Sequence, residues 1–360
     1  MATPDISVVL PVFNGEKYIR ESVKSILCQT FKEFEFIIID DGSTDKSVEI
    51  IKSFNDSRIK LLRNNENKGI IFSLNKGIEE ATGKYIARMD GDDIACPERL
   101  KIQFEFMERN PETGICGTFV KRFGSILRRG LLKLPVSNEE IKANSLFFCS
   151  FVHPTVMFRK EVMTKSSLKY SEYFKSVEDY NLWVEMMSKG VKTANIPIPL
   201  LNYRISDFSI SGNIFFNRDK LQKRFELISE IQKKAFNNAF PRMEFEPEIH
   251  GLIYKMKFHT EFLKIADIRN IAKWLKKLIE YNKVSKYCDE TVFEKVVSDI
   301  FFQVCSFATY LGMDLYEEFN KFWIFSKLRK IEIMGKCMIR FGNVEMIVKR
   351  SYLKRNGEKH

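Results

Sequence analysis

Short apolar runs alternate with segments of helical period through residues 6–111, and this alternation restricts the fold more than any other feature of the chain. ISVVLPVF (6–13) has the length and branching of a buried strand. EKYIRESVKSILCQTF (16–31) then places Tyr18, Ile19, Val23, Ile26 and Leu27 on one helical face. EFEFIIID (33–40) is strand-like and runs into the turn sequence DGSTD, and DKSVEIIKSF (45–54) returns to helix. RIKLLRN (58–64) and KYIARMD (84–90) read as strands on either side of a helix, IIFSLNKGIEEA (70–81). CPERLKIQFEFMERNP (96–111) carries Pro97 near its first turn and stops before Pro111, as a helix does. Such βαβ units imply a mostly parallel sheet covered on both faces.

In a sheet of this kind ligands bind beyond the carboxyl ends of the strands. Three predicted strands end in polar residues: Asn14 after the first, Asp40 and Asp41 after the second, and Asp90 to Asp93 after the fourth. All three tips belong on one edge. Asp90, Asp92 and Asp93 repel one another at neutral pH, so the cluster calls for a cation. D-G-D-D suits a hard divalent ion, because Mg²⁺ and Mn²⁺ prefer carboxylate oxygens and share their coordination with phosphates. A structural reading competes at each motif. Asp93 alone reads equally well as a cap for the helix near Pro97, and Ser43 or Thr44 as part of a polar turn before a helix.

Taken together, SVVLPVFNGEKYIRESVKSILCQTFKEFEFIIIDDGSTDKS (7–47) and NKGIIFSLNKGIEEATGKYIARMDGDD (67–93) resemble family 2 glycosyltransferases of the A-type fold. The resemblance is close over about the first 100 residues. It continues more loosely to about residue 212 through HPTVMFR, SVEDYNLW and LLNYRIS. It implies an α/β, Rossmann-like, mostly parallel sheet flanked by helices, and an inverting, metal-dependent enzyme of polysaccharide synthesis. The donor is then a nucleotide-sugar, of the UDP class, and the acceptor a glycan or a lipid-linked glycan.

By position, the resemblance implies that Pro11, Phe13 and Asn14 line the nucleotide pocket with Glu16 close by, and that Asp41 contacts the base. Lys68 and Gly69 lie on the loop that passes the nucleotide, and Arg88 is near the donor. Asp90 meets the ribose or the metal, and Asp92 holds the metal, Mn²⁺ or Mg²⁺. Tyr203 and Arg204 approach the diphosphate. Asp179 is the catalytic base, with Glu178 the second choice, because the acceptor hydroxyl must lose its proton during attack. Read alone, the same two acids simply favour a helix's first turn. His153 stands equally well as structural or acceptor-side, and Trp183 reads as core. A non-catalytic nucleotide-sugar or glycan binder is the alternative, against which the retained Asp90, Asp92 and Asp179 argue. A nucleotidyltransferase would show a Gly- and Arg-rich phosphate loop after the first strand, and PVFNGEKY is not one.

Residues 114–212 mix strand-like ICGTFVKRFG, HPTVMFRK and IPLLNYRIS with a helix, VEDYNLWVEMMSKG, ending at Gly190. From RDKLQKRFELISEIQKKAF (218–236) onward the period is helical. The expected organisation is a catalytic domain over 1–212 and a mainly helical, basic region over 213–360. Seven scattered cysteines without C-x-x-C spacing, and without a histidine partner at zinc-finger spacing, point to reduced thiols and no cysteine metal site. The N-terminus lacks the basic and cleavage features of a signal peptide, which fits a cytoplasmic protein. IFFQVCSFATYLGM (300–313) is too short to span a bilayer and reads as a buried helix. Of the net charge of +11, +8 falls in residues 321–360. That basic, apolar-rich tail fits peripheral contact with an anionic membrane face, or equally a solvated helix face. No nucleic-acid-binding motif accompanies it.

Overall fold

The computed structural model describes residues 3–124, 129–205, 218–256, 262–311, 313–322 and Ile333. Its sheet begins with four parallel strands, β1 (Ile6–Val12), β2 (Phe34–Asp40), β3 (Ile59–Arg63) and β4 (Tyr85–Arg88). The crossovers are α1 (Ile19–Leu27), α2 (Ser47–Lys52) and α3 (Ile70–Glu80). The order is β3-β2-β1-β4, so the winding reverses at β1 and opens a crevice at the tips of β1 and β4. The expected strands and helices of this half all form.

The alternation of the sequence explains the layers. Ile6, Val8, Leu10 and Val12 of β1 share a core with Ile19, Val23 and Ile26 of α1. Val9 faces the other way, with Ile37, Ile39, Ile71 and Leu74. Each such fully buried aliphatic side chain contributes about 1.5–3 kcal/mol. On the second face α3 approaches unusually closely at Gly77, where a Cβ would stand 2.4 Å from Val9 Cγ1 and 2.8 Å from Ile39 Cδ1.

Beyond β4 the sheet becomes mixed. A two-residue β5 (Ile94–Ala95) leads into α4 (Arg99–Arg109) and the long β6 (Thr113–Phe123). A short β7 (Gly130–Leu132) pairs with the end of β6, and α5 (Asn138–Asn144) follows with a full capping box at Ser137 and Glu140. HPTVMFRK is a 3₁₀ turn (His153–Thr155), then the short β8 (Met157–Arg159) and the start of α6 (Lys160–Lys165) rather than one strand. Pro154 accounts for this: it has no N–H to give to a ladder and suits the first turn of a helix. β8 runs antiparallel between β4 and β6, while β9 (Lys192–Arg204) is parallel to β6 and antiparallel to β5. The β5–β9 pairing carries Tyr203 and Arg204 to the carboxylate loop. Between β8 and β9 lies α7 (Glu178–Ser188), followed by Gly190 at φ +79.

The remaining helices are α8 (Arg218–Ala239), α9 (Pro247–Met256), α10 (Ile265–Ser285), α11 (Glu290–Phe307) and α12 (Met313–Phe322). Two compact units result, one of residues 1–145 and 149–235, the other of 146–148 and 236–360. The division falls within α8. The expected boundary near 212–216 lies outside the described residues. The second unit has an aromatic core that includes Phe236, Phe240, Trp274, Phe293 and Phe301. The apolar run at 300–313 is not one helix: Ile300, Phe301, Val304 and Cys305 are buried in α11 as expected, but that helix ends at Phe307 and a 3₁₀ turn follows at Thr309–Leu311. No described helix is long and apolar enough to cross a membrane. Most of the basic tail, 321–360, lies outside the described residues.

Candidate active site

At the tips of β1 and β2 the backbone is clamped by short polar side chains. Asn14 is left-handed at φ +48; its N–H donates to Ser43 Oγ (2.9 Å) and its Oδ1 accepts from the Thr44 N–H (2.9 Å). Glu16 belongs to the same clamp, accepting from the Lys46 N–H at 3.1 Å, and is not on the cleft wall. Asp41 is 3% exposed. Its Oδ1 accepts from Asn64 Nδ2 (2.8 Å) and the Lys68 N–H (3.0 Å), and its Oδ2 from the Gly69 N–H (2.8 Å). Gly69 has φ +90 and ψ 159, a conformation essentially reserved for glycine, so the turn that presents its N–H depends on that residue. Lys68 takes part through its backbone; its ammonium lies over the Phe72 ring, 4.9 Å from the centroid. Pro11 and the exposed Phe13 complete this end of the cleft.

The β4 tip carries the acids. Asp90, Asp92 and Asp93 each offer an oxygen, all within 4.8 Å of one another. Asp90 pairs with Arg88, which is itself buried. Asp93 lies beneath the cleft wall, 1% exposed; its Oδ1 accepts from the Arg204 N–H (2.7 Å), and its Oδ2 has no partner. The capping reading of Asp93 is therefore not what forms: Glu98 occupies the N-cap of α4, without a side-chain bond. Arg204 donates from Nε to the Asp92 carbonyl (2.7 Å) and from Nη2 to Glu21 (2.7 Å), and its guanidinium lies over the Tyr18 and Phe123 rings. Burial and the Asp90 charge push the Asp92 carboxyl up to about 6, and burial with both neighbouring charges pushes Asp93 well above its usual value. Like charges gathered in a low-dielectric wall favour a bound cation. The oxygen-only donor set and the unpartnered Asp93 oxygen fit a hard divalent metal.

At the other end stand Glu178 and Asp179, in the first turn of α7. Asp179 lines the cleft, and its Oδ1 accepts from its neighbour's N–H, that of Tyr180 (2.8 Å). Glu178 is 7% exposed, and its Oε2 has no partner. Burial and the Asp179 charge push Glu178 up to about 7, and burial also raises Asp179. His153 Nε2 lies 2.8 Å from the Tyr170 hydroxyl, and burial, with Arg88 nearby, keeps the ring neutral. Trp183 is core, 1% exposed among Phe151, Phe158 and Tyr170.

One cleft of about 940 Å³ joins these ends, near the upper limit for small-ligand sites. Pro11, Phe13, Asn14, Asp41, Gly69, Arg88, Asp90, Asp92, His153, Glu178, Asp179, Tyr203 and Arg204 all line it; Glu16 and Lys68 do not. Lys175, Ser176 and Arg224 line it as well and were not anticipated. Arg224 lies on α8, which the sequence placed in the C-terminal region, and nothing in a basic amphipathic helix marks which arginine enters a cleft.

The sequence model of "Glycosyl transferase family 2" matches residues 7–166. The amylovoran biosynthesis glycosyltransferase AmsE of Erwinia amylovora is 33% identical, over 69% of this chain and 90% of its own. WfaP of Escherichia coli, named as a UDP-Glc:alpha-D-GlcNAc-diphosphoundecaprenol beta-1,3-glucosyltransferase, is 30% identical, over 69% of this chain and 94% of its own. Among solved structures, S. aureus TarS 1-349 in complex with UDP superposes with a TM-score of 0.52 at 18% identity, over 82% of this chain and 90% of that one.

Proposed function

The chain belongs to glycosyltransferase family 2, and from that premise we propose an inverting, metal-dependent transfer of a sugar from a UDP-sugar to a hydroxyl of a glycan or lipid-linked acceptor in surface-polysaccharide synthesis. The observation that carries this reading is the single cleft joining the β1 and β2 tips, the carboxylate loop and Asp179. The names of AmsE and WfaP, and the UDP held by TarS, support the donor and acceptor classes.

In this reading Phe13 packs against the base, and Asp41 keeps acceptor capacity on Oδ2 beyond its Gly69 bond for a base N–H. Pro11, Asn14 and the Lys68–Gly69 turn shape the nucleotide end. Asp92 and Asp90 hold Mn²⁺ or Mg²⁺, which when bound neutralises charge on the leaving diphosphate. Arg88 restrains Asp90 from below. Arg204, fixed by Asp92, Asp93 and Glu21, faces the diphosphate with Tyr203 beside it. Asp179 takes the proton of the acceptor hydroxyl as that oxygen attacks the anomeric carbon. The bond from that carbon to the diphosphate breaks on the opposite side, and the configuration inverts.

Calorimetric titration of UDP, with and without Mn²⁺, tests the donor end. Binding is expected to depend on the metal and to be lost in Asp92→Ala. Equal binding without metal, or to both proteins, would remove the metal role. If UDP gives no heat, GDP is the next donor nucleotide to titrate.

A further inference from the structure

The cations of the cleft are not equally engaged. Arg88 is paired with Asp90, and Arg204 with Glu21. Among the described residues Arg224 is bound only by the Ser176 carbonyl, and Lys175 has no acidic partner. Ser176 is a non-glycine residue at φ +78, a conformation that costs energy unless its surroundings enforce it. Here they do. The first part of α8 is fastened along the segment leading into and through α7. Tyr173 donates to Glu230 (3.0 Å), Arg224 donates to Ser176, and Lys234 donates to Asn181 (3.0 Å) and Glu185 (2.7 Å). Arg224 is thus a fixed, half-buried guanidinium.

Its position follows from what it touches. Arg224 donates to the Ser176 carbonyl, three residues before Asp179, and its charge, with that of Arg88, lowers Asp179. Arg224 therefore stands at the Asp179 end. Lys175 adjoins Ser176 in the chain, but its Nζ lies 4.0 Å from where a Cβ would stand on Gly69, toward the nucleotide end. A guanidinium has five N–H donors, and one carbonyl leaves most of them free. Asp179 acts on it through space, but among the described residues no carboxylate forms an ion pair with it, and its fork matches phosphate oxygens.

We infer that Arg224 forms a second anion subsite that receives a phosphate or diphosphate group carried by the acceptor. This rests on the proposed function, because it takes Asp179 as the residue that meets the acceptor hydroxyl. The donor diphosphate belongs to the opposite end of the cleft, so the anion at Arg224 belongs to the acceptor. Two sources share this chemistry, a sugar linked through diphosphate to a lipid and a glycan built with phosphodiester links.

The test uses the full chain saturated with UDP and Mn²⁺, so that the donor end is filled. Three probes are titrated: N-acetylglucosamine diphosphate esterified to a short phenoxyalkyl chain, a glycerol-phosphate oligomer, and a neutral phenoxyalkyl N-acetylglucosaminide. One phosphate probe is expected to bind at least about tenfold more tightly than the neutral one. Arg224→Gln should lose about tenfold for that probe, and Arg224→Lys should recover part of it. Both should keep the wild-type UDP affinity and melting temperature. The diphosphate arm binding would identify a lipid-linked acceptor, and the oligomer arm a phosphodiester glycan. Equal binding of the neutral probe, no phosphate binding, or a phosphate affinity untouched in Arg224→Gln would overturn the subsite. If no nucleotide binds, the donor reading fails instead, and the same probes titrated alone still report on Arg224.

Discussion

Glu178 and Asp179 are consecutive residues with different work. Both are raised, Glu178 to about 7 with an unpartnered oxygen; at Asp179 the Tyr180 N–H, Arg224 and Arg88 oppose the rise that burial causes. The Arg224 cation favours the charged form of Asp179, the form that the proposed base needs. Asp179→Asn should lower kcat by about 10²–10⁴ in a transfer assay, with UDP affinity retained. The base must be ionised, so kcat should fall on the acid side. The folded state raises Glu178 above its unfolded value of 4.5, so the stability it contributes is full below pH 4.5 and lost as pH rises through about 7. By that linkage Glu178→Gln should be more stable than wild type above pH 7, by up to about 3 kcal/mol, and equal to it near pH 4.5 in denaturant titrations.

Among the elements, α3 shows how closely the layers are fitted. Gly77 lets the helix rest on Val9 and Ile39, and a methyl group there would overlap both side chains. Alanine is the better helix former by about 1 kcal/mol, yet overpacking costs about 1–3 kcal/mol. Gly77→Ala should therefore destabilise the protein by about 1 kcal/mol in urea unfolding, and Gly77→Val by more. The same helix begins at Gly69, so a shift of α3 would also disturb the turn bound to Asp41. UDP affinity should fall with stability in Gly77→Val.

At the scale of the whole molecule, the helical unit carries its own sensitivity to acid. His250 is fully buried between Phe147, stacked at 4.9 Å, and Phe236, Phe245 and Trp274. The Leu146 backbone offers it a weak polar contact, and neither ring nitrogen makes a well-formed hydrogen bond. Burial depresses it to about 3. Below pH 6.5 the unfolded chain takes up a proton that the folded ring refuses, so stability is full above pH 6.5 and lost as pH falls toward 3. His250→Phe should flatten that slope. Between pH 6.5 and about 4.5 the wild type should lose about 2 kcal/mol more than the variant, as read by urea titrations at each pH.

The sequence determined the alternating layers, because burial on two faces writes a period of two or of 3.6 into the residues themselves. It also determined that Asn14, Asp41 and Asp90 to Asp93 share one edge, because right-handed crossovers leave parallel strands pointing the same way. It pointed to Asp179 through family resemblance alone, since an acid in a helix's first turn is locally unremarkable. Tertiary structure decided the rest. Only the fold turned Glu16 and the Lys68 side chain away from the cleft, put Asp93 on the Arg204 backbone, and brought Arg224 from α8 to the Asp179 end. Those placements depend on contacts between residues far apart in the chain, and no local periodicity records which distant partner a polar side chain will meet.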